Sequence, residues 1–267
     1  MENQEIAWLL KEKYQGEKSD AFFADSERLL AGEPLAYIIG SLPFLNCQIA
    51  LDSHPLIPRP ETEYWTEQAI NAIKAESSRR DLVVRGLASN KLPVSVLDLC
   101  AGSGAIGVAV AKAVPAAHVT FAEIDPAHLP TIKKNLSENL TPEQNDFSGQ
   151  YEIVASDLFT IVTGNFDFIL TNPPYIDKVA NTVDDSVIAH EPALALFGGN
   201  VGMEIITNII RGAKTYLNDD GQLWIEHEPF QCDAIATLAA EYQFSVMHHQ
   251  DQYGTYRYSV LSPLVAK

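Results

Sequence analysis

The sequence predicts an α/β domain built around a mainly parallel sheet. Beyond Pro93, short runs typical of strands alternate with runs whose apolar positions have helical spacing. Of the 267 residues, 46% are apolar and 20% are charged, so the chain holds enough hydrophobic material for a full core. At ~150 residues per domain, the length fits one large domain or one domain with an appendage.

The predicted elements follow a regular order along the chain. Two helices open it at 3–14 and 19–31, and residues 32–60, where Gly and Pro interrupt short apolar runs, predict a hairpin or an irregular arm. A helix is expected at roughly 61–75, and residues 76–92 show no sustained period, so we interpret them as a surface insertion. The remaining strands are expected at 94–99, 118–123, 151–154, 166–171, 222–227, 243–248 and 255–261, and the remaining helices at 105–113, 126–139, 202–217 and 229–241.

The charge balance argues against nucleic acid as the main partner. Lys and Arg number 18 against 35 Asp and Glu, which gives a net charge of −17. A field of that sign repels polyphosphates and anionic lipids unless basic residues are concentrated locally. We therefore expect no direct binding to nucleic acid.

Cysteine use and the first residues of the chain favour the cytoplasm. Cys47, Cys100 and Cys232 lie far apart without a CxxC pair, which fits packed thiols in a reducing compartment. The opening MENQEIAWLLKEKY places acidic residues before a short apolar face, unlike a signal peptide. No run approaches the length of a membrane span, so we expect a cytoplasmic protein without a membrane partner.

The first chemical motif is VSVLDLCAGSGAIGVAVA, at 94–111. A strand ends at Asp98, small residues carry the chain through a turn at Gly102 and Gly104, and a helix begins directly afterwards. Such a turn lets a ligand approach the backbone, although glycine turns also occur for close packing alone. No Gly-Lys-Ser/Thr closes a P-loop, and the Asp98 carboxylate disfavours an anion and suits an ammonium or sulfonium.

The second motif is FAEIDP, at 121–126, where the next predicted strand ends. Glu123 follows the glycine turn by about 20 residues, the spacing at which nucleotide-binding α/β sheets place an acid on the ribose hydroxyls. Asp125 is its near neighbour. The alternative is a solvated charge at a strand end, but its position after the glycine turn favours ribose binding by Glu123.

The third motif is FDFILTNPPYI, at 166–176, in which an apolar strand runs into Asn172-Pro173-Pro174-Tyr175. The prolines fix φ and lack N–H groups, so Asn172 is held beside carbonyls that can only accept hydrogen bonds. We interpret the tetrad as a socket for an NH₂ group, which would donate to the Asn172 side-chain oxygen and the Pro173 carbonyl while the Tyr175 ring packs on its planar π system. The alternative is a simple Asn-Pro turn that ends the strand.

With these motifs, the sequence resembles the class I S-adenosylmethionine-dependent methyltransferases and, within them, the HemK/PrmC family of release factor glutamine N5-methyltransferases. The NPPY tetrad also occurs in DNA and RNA amino-methyltransferases, and LIPRPETE ahead of the glycine turn narrows the choice. The resemblance covers residues 32–261, and its segments are GEPLAYIIG (32–40), LIPRPETE (56–63), VLDLCAGSGAIG (96–107), NPPYI (172–176), HEPALALFGG (190–199) and EH (226–227).

The resemblance implies a Rossmann-like, seven-stranded sheet with helices on both faces and S-adenosylmethionine over the carboxyl ends of the first strands. Residues 1–60 would form a small helical segment and hairpin arm, a candidate for substrate recognition, and residues 61–267 the methyltransferase domain. The implied cofactor residues are Asp98, Cys100, Ala101, Gly102, Ser103, Gly104, Glu123, Asp157, Leu158 and Asn172. The implied substrate residues are Asn172, Pro173, Pro174 and Tyr175, with Asn172, Pro173 and Tyr175 as the catalytic set.

Three departures from the family pattern carry expectations of their own. Cys100 stands where glycine is common, which would be tolerated at a negative φ. Leu158 replaces a frequently aromatic residue beside the adenine. About 31 residues precede GEPLAYIIG, fewer than the family's substrate-recognition domain usually has.

The predicted activity is methyl transfer to the N5 nitrogen of the glutamine in the Gly-Gly-Gln motif of peptide chain release factors, by a monomer. One alternative is a nucleic-acid amino-methyltransferase acting on adenine N6, cytosine N4 or guanine N2, which should bind with a steep salt dependence. Another is a non-catalytic, cofactor-binding subunit. We expect no metal, because neither HExxH nor a carboxylate cluster with ligand spacing occurs, and we interpret Glu226-His227 and His248-His249 as ordinary polar residues.

Overall fold

The computed structural model describes residues 4–84, 93–141, 150–179 and 184–264. Two helices and a hairpin open the chain, close to the predicted bounds, and a short helix between them was not predicted. The Ser19 hydroxyl oxygen caps the second helix by accepting a hydrogen bond from the Phe22 N–H. These elements are α1 (Gln4–Glu12), α2 (Asp20–Leu30), α3 (Leu35–Ile39), β1 (Ser41–Phe44) and β2 (Cys47–Ala50).

Helix α4 (Pro60–Val84) is longer than predicted, so the surface insertion is wrong for residues 76–84. Arg79 and Arg80 pair with Glu76 at helical spacings of three and four residues. These pairs support a helix that has little apolar periodicity, which is why the charged composition concealed it. Residues 85–92 of the predicted insertion lie outside the described residues.

The α/β part follows the predicted succession, with two further short helices at 185–190 and 193–196. The strand predicted at 222–227 begins earlier, at Leu217. Short 3₁₀ turns at 126–128 and 229–231 precede α6 and α10 and fill the predicted starts of those helices. The elements are β3 (Ser95–Leu99), α5 (Ala105–Ala113), β4 (His118–Glu123), α6 (Leu129–Asn139), β5 (Tyr151–Ala155), β6 (Phe166–Thr171), α7 (Asp185–His190), α8 (Ala193–Leu196), α9 (Glu204–Tyr216), β7 (Leu217–Glu226), α10 (Cys232–Glu241), β8 (Phe244–Gln250) and β9 (Tyr256–Pro263).

Seven strands form one sheet in the order β5-β4-β3-β6-β7-β9-β8. The strands from β5 to β7 are parallel, and β9 runs antiparallel between β7 and β8. The strand order reverses between β3 and β6, and open α/β sheets bind ligands at the carboxyl ends of the strands beside such a reversal. The predicted sheet, including its antiparallel end, is confirmed.

Two large apolar clusters cover the two faces of the sheet. The hairpin belongs to the first cluster, with Ile49 buried among residues of α5 and α6. Asn135 of α6 fixes it further, since its side-chain oxygen accepts from the Ala50 N–H at 2.8 Å and its side-chain nitrogen donates to the Ala50 carbonyl. The hairpin is therefore packed on the sheet domain, and a domain boundary at residue 60 stays a prediction. Within the described residues, no helix is both long and apolar enough to cross a membrane.

The opening helices have a small cluster of their own, which includes Leu9 and Phe22, and a nearly buried carboxylate beside it. Asp25 accepts hydrogen bonds from the side chains of Lys13, Tyr14 and Arg28 at 2.6–2.7 Å. Burial raises the pKa of Asp25, but the three hydrogen bonds outweigh it and lower the pKa from 3.8 to about 2. The ionised form therefore stabilises the folded helices.

Asp25→Asn is expected to lower the free energy of unfolding by about 2 kcal/mol at pH 7. Because the folded pKa lies below the unfolded one, this contribution is complete above pH ~4 and is lost as the pH falls toward 2. Urea unfolding of the wild type and the variant between pH 7 and pH 3 measures the difference, with Glu27→Gln, an exposed acid on the same helix, as the control. A difference that stays constant down to pH 3 would contradict this role.

Candidate functional site

Strand register brings the three predicted motifs to one edge of the sheet. Leu99 at the end of β3 pairs with Ala122 of β4 on one side and with Thr171 of β6 on the other. The next residue in each chain segment therefore lies beside the other two: Cys100 and Asn172 begin loops, and Glu123 is the last residue of β4.

A cleft opens at this edge, with an empty volume of about 840 Å³ that includes space open to solvent. Its walls contain predicted site residues from all three motifs and from the end of β5: Cys100, Gly102, Glu123, Asp157, Leu158, Asn172 and Pro174. Sequence reasoning assigned no role to the other wall residues, among them Leu56, Ile124, His128, Pro192, Phe197 and Ile205.

The glycine turn has the tight backbone that the motif predicts, but Cys100 does not have the negative φ at which it would be tolerated without strain. Cys100 has φ +61°, in the same left-handed region as Gly102 at +55° and Gly104 at +77°. A non-glycine residue in this region costs about 1–2 kcal/mol, which explains why glycine is common at this position. The turn therefore holds a strained cysteine whose side chain lines the cleft.

Several predicted cofactor residues are buried and do not line the cleft: Asp98, Ala101, Ser103 and Gly104. Asp98 is fully buried, and one of its oxygens accepts the Gly107 N–H at 2.8 Å. Burial raises the pKa of Asp98 to about 8, against the effect of that hydrogen bond. A raised pKa favours the neutral carboxyl, which weakens the expected attraction for a sulfonium. Asp98 serves to hold the turn on helix α5.

Glu123 ties two loops together at the floor of the cleft. Its carboxylate accepts the Gly102 N–H at 2.7 Å with one oxygen and the Asp125 N–H at 2.8 Å with the other. A carboxylate has about four lone-pair sites, so both oxygens can still accept from a diol. The side chain is 6% exposed and is held where a ribose could bind.

A second pocket, with an empty volume of about 780 Å³ that includes space open to solvent, adjoins the cleft. Asn172 belongs to the walls of both, together with Leu56 and Ala195. Pro173 and Tyr175 line the second pocket, whose charged residues are Arg59, Asp184 and Glu228. Two ligands, one in each pocket, would therefore meet at Asn172.

The amide nitrogen of the Asn172 side chain is hydrogen-bonded to a described residue, whereas its amide oxygen is not. Its nitrogen donates to the Thr62 hydroxyl at 3.2 Å. Its oxygen is buried and has no hydrogen-bond partner among the described residues. A buried polar group in that state costs about 1–3 kcal/mol, which a ligand that donates an N–H would recover.

The Tyr175 side chain is anchored by Glu226 at the end of β7. Its hydroxyl donates to a Glu226 carboxylate oxygen at 2.9 Å. Burial, followed by the effect of the Glu226 charge, raises the pKa of Tyr175 well above its usual value. The Tyr175 hydroxyl therefore keeps its proton and does not act as a base, and the ring is held in place in the second pocket.

A glycine-rich segment supports the NPPY loop from behind. A Cβ at Gly198 would lie 2.4 Å from the Pro174 carbonyl oxygen, and one at Gly202 would lie 1.9 Å from that of Tyr175. The buried Gln231 amide donates to the Tyr175 carbonyl at 3.0 Å. These residues were not predicted to act, although the spacing of small residues in GGNVG was a visible signal for close backbone contact.

The LIPRPETE and HEPALALFGG segments face each other across the two pockets. Glu191 joins them, since its carboxylate pairs with Arg59 at 2.5 Å and accepts the Ile57 N–H at 3.1 Å. Leu56 and Pro192 on the two sides both line the cleft. The segments that carry the resemblance thus enclose the site.

Three possible metal ligands, His227, Cys232 and His248, lie with one donor atom each within 4.8 Å of one another. The Ser259 hydroxyl bridges the two imidazoles, at 2.6 Å from Nε2 of His227 and 2.7 Å from Nδ1 of His248. These hydrogen bonds satisfy the facing nitrogens without an ion. The expectation that the protein needs no metal stays a prediction.

Comparison with known proteins identifies relatives of the same kind. The model of the methyltransferase small domain family matches residues 78–199. A release factor glutamine methyltransferase of Rhodopirellula baltica is 36% identical over 213 residues, which are 79% of this chain and 66% of that protein. One of Lactococcus lactis is 32% identical over 256 residues, which are 93% of this chain and 85% of that protein. The chain thus spans slightly less than two thirds of the first relative and most of the second.

Two further likenesses bear on substrate and fold. A 4-amino-L-phenylalanine/4-methylamino-L-phenylalanine methyltransferase of Streptomyces pristinaespiralis is 34% identical over 79% of this chain and 66% of that protein. The solved hMettl16 catalytic domain in complex with MAT2A 3′UTR hairpin 6 gives a TM-score of 0.56 at 14% identity, over 82% of this chain and 76% of that one. At that identity the likeness is one of fold, and it confirms the predicted class I methyltransferase architecture.

Proposed function

This chain belongs to the release factor glutamine methyltransferase family, and on that premise we propose that it methylates the N5 nitrogen of the glutamine in the Gly-Gly-Gln motif of peptide chain release factors, with S-adenosylmethionine as the methyl donor. The observation that carries the proposal is the buried, unpaired side-chain oxygen of Asn172, a residue that lines both pockets. A methyl donor in the cleft and a carboxamide in the second pocket would meet there.

The residues of the cleft fit S-adenosylmethionine. Glu123 would accept the ribose hydroxyls, and Gly102 leaves room for close approach to the backbone. Asp157 and Leu158 would lie at the adenine side of the cleft. When bound, S-adenosylmethionine supplies an electrophilic methyl group on a sulfonium.

The second pocket has the groups that a glutamine amide needs. An amide nitrogen is a poor nucleophile because its lone pair is delocalised into the carbonyl. Hydrogen bonds from its two N–H groups to the Asn172 oxygen and the Pro173 carbonyl would aim that lone pair and stabilise the positive charge that develops on nitrogen. The fixed Tyr175 ring would pack on the amide plane, and the rigid Pro174 holds the loop. The nitrogen then loses its proton to water, so no strong base is required.

The charges around the site favour a protein substrate over a nucleic acid. Asp184 and Glu228 in the second pocket outnumber Arg59, and the whole chain carries −17. Phosphates would be repelled at such a surface. Residues 1–60 are the proposed docking unit for the release factor, and the proposed setting is a monomer in the cytoplasm, where translation ends.

The test incubates the purified chain with isotopically labelled S-adenosylmethionine and a release factor, then maps the label by peptide mass spectrometry. Label on the Gly-Gly-Gln glutamine is expected, and a release factor in which that glutamine is alanine is the control. Salt-sensitive binding and labelling of bare RNA would instead support the nucleic-acid alternative. Cofactor binding without turnover on any of these would support a non-catalytic subunit.

Glu123→Ala is expected to raise the Kd for S-adenosylmethionine by on the order of 10- to 100-fold, because hydrogen bonds to a charged acceptor contribute about 1.5–3 kcal/mol each. Isothermal titration calorimetry measures this Kd. The control is Glu152→Ala, which removes an exposed carboxylate from the neighbouring strand β5. An unchanged Kd in Glu123→Ala would exclude Glu123 from the ribose site.

A further inference from the structure

The chemistry of the proposed site depends on which way the Asn172 amide points. With the oxygen toward the pockets, Asn172 accepts an N–H from the substrate. Rotated by 180°, it would present its own N–H groups to the substrate NH₂, and two donors would face each other. Asparagine has no intrinsic preference between these orientations, so its surroundings must choose.

The Thr62 hydroxyl makes that choice. It lies 3.2 Å from the Asn172 nitrogen and donates its single hydrogen to a Glu226 carboxylate oxygen at 2.7 Å. With that hydrogen committed, the hydroxyl can offer Asn172 only a lone pair. A lone pair requires a donor, so the Asn172 nitrogen faces Thr62 and its unpaired oxygen is left for a donor from the substrate.

Glu226 keeps the direction of this chain of hydrogen bonds. The same carboxylate oxygen that receives the Thr62 hydrogen also accepts the Trp65 indole N–H at 2.7 Å, and an indole N–H can only donate. Burial raises the pKa of Glu226, and hydrogen bonds from Trp65, Thr62 and Tyr175 oppose that change.

The network is out of contact with solvent. Thr62 is 2% exposed, Glu226 1% and Trp65 0%. Water would therefore not replace a lost partner at once, and a missing hydroxyl would leave the Asn172 nitrogen without an acceptor.

We propose that Thr62 and Glu226 are positioning residues, which fix the Asn172 amide with its oxygen toward the substrate. The proposal rests on the proposed function. Thr62 belongs to the LIPRPETE segment and lies in the first turn of α4. The segment would then have a part in methyl transfer that the NPPY tetrad cannot supply alone. Thr62 and Glu226 act through Asn172 and line neither pocket.

The test compares Thr62→Val, which keeps the side-chain shape and removes the hydroxyl, with Thr62→Ser, which keeps the hydroxyl. Thr62→Val is expected to lower kcat for release factor methylation about tenfold, the value of one buried hydrogen bond. Its Kd for S-adenosylmethionine should stay within about threefold, and Thr62→Ser should keep kcat within about threefold of the wild type. Thr66→Val is the control for stability, since it removes a buried hydroxyl one turn along the same helix.

A double-mutant cycle separates positioning from packing. If Thr62 acts through Asn172, Thr62→Val should cause no further loss of kcat in an Asn172→Ala background. An equal loss in both backgrounds, or full activity of Thr62→Val beside an active wild type, would overturn the proposal. Absence of transfer by the wild type itself would instead count against the proposed function.

Discussion

Asn172→Ala is expected to lower kcat for release factor methylation by more than tenfold, equivalent to ~2–4 kcal/mol of transition-state stabilisation. The variant removes the acceptor that aims the amide nitrogen and stabilises its developing charge. The Kd for S-adenosylmethionine should change much less, because Glu123 and the glycine turn are unaffected. Single-turnover kinetics with labelled cofactor, together with calorimetric titration, measure the two quantities.

Asn165→Ala is the matched control for this variant. Asn165 is exposed and immediately precedes β6, the strand that Asn172 follows, so it lies at the opposite edge of the sheet. It should leave both kcat and the Kd near their wild-type values. If Asn172→Ala weakened cofactor binding as much as turnover, Asn172 would be mainly structural.

Gly202→Ala is expected to have the second large effect, on both activity and stability. An added Cβ would lie 1.9 Å from the Tyr175 carbonyl oxygen and 2.8 Å from the Gln231 amide nitrogen, so the NPPY loop would have to move. A displacement of about 1 Å at a reacting group can cost 10²-fold in rate, and overpacking costs about 1–3 kcal/mol of stability. The temperature of thermal unfolding and kcat should both be lower than in the wild type.

Gly164→Ala separates the clash from the backbone effect. Gly164 has φ +85°, comparable to +66° at Gly202, but a Cβ there would meet no atom within 4 Å. It should cost about 1 kcal/mol of stability and leave kcat unchanged. Equal behaviour of the two variants would show that the backing of the NPPY loop by Gly202 is unimportant.

The elements that sequence predicted to the residue are those whose signals are local. Strands at 118–123 and 166–171 and the helix at 105–113 coincide with β4, β6 and α5. Apolar runs bounded by turn residues mark such elements without reference to the rest of the chain. The end of α4 and the short helices α7 and α8 lack that periodicity. Ion pairs and tertiary contacts stabilise them instead, and these leave no local pattern in the sequence.

The residues of the candidate site likewise include some that the sequence predicted and some that it did not. The glycine turn, Glu123 and Asn172 were predictable because each lies at the end of a strand or directly after one. Thr62 was not, since it reaches Glu226 across 164 residues of sequence and Asn172 across 110. Spacing along the chain does not reveal contacts of that range. The sign of φ at Cys100 was missed for a related reason, because it follows from the packing of the turn against its neighbours.

The most direct test of the account is a crystal structure with S-adenosylhomocysteine and a Gly-Gly-Gln peptide, in which the distance from the Asn172 side-chain oxygen to the glutamine amide nitrogen is measured. The proposed orientation of Asn172 predicts a hydrogen bond of about 2.9 Å, with the amide nitrogen facing the cofactor sulfur. It would be contradicted if the Asn172 oxygen faced away from the glutamine or were occupied by a side chain of the protein itself.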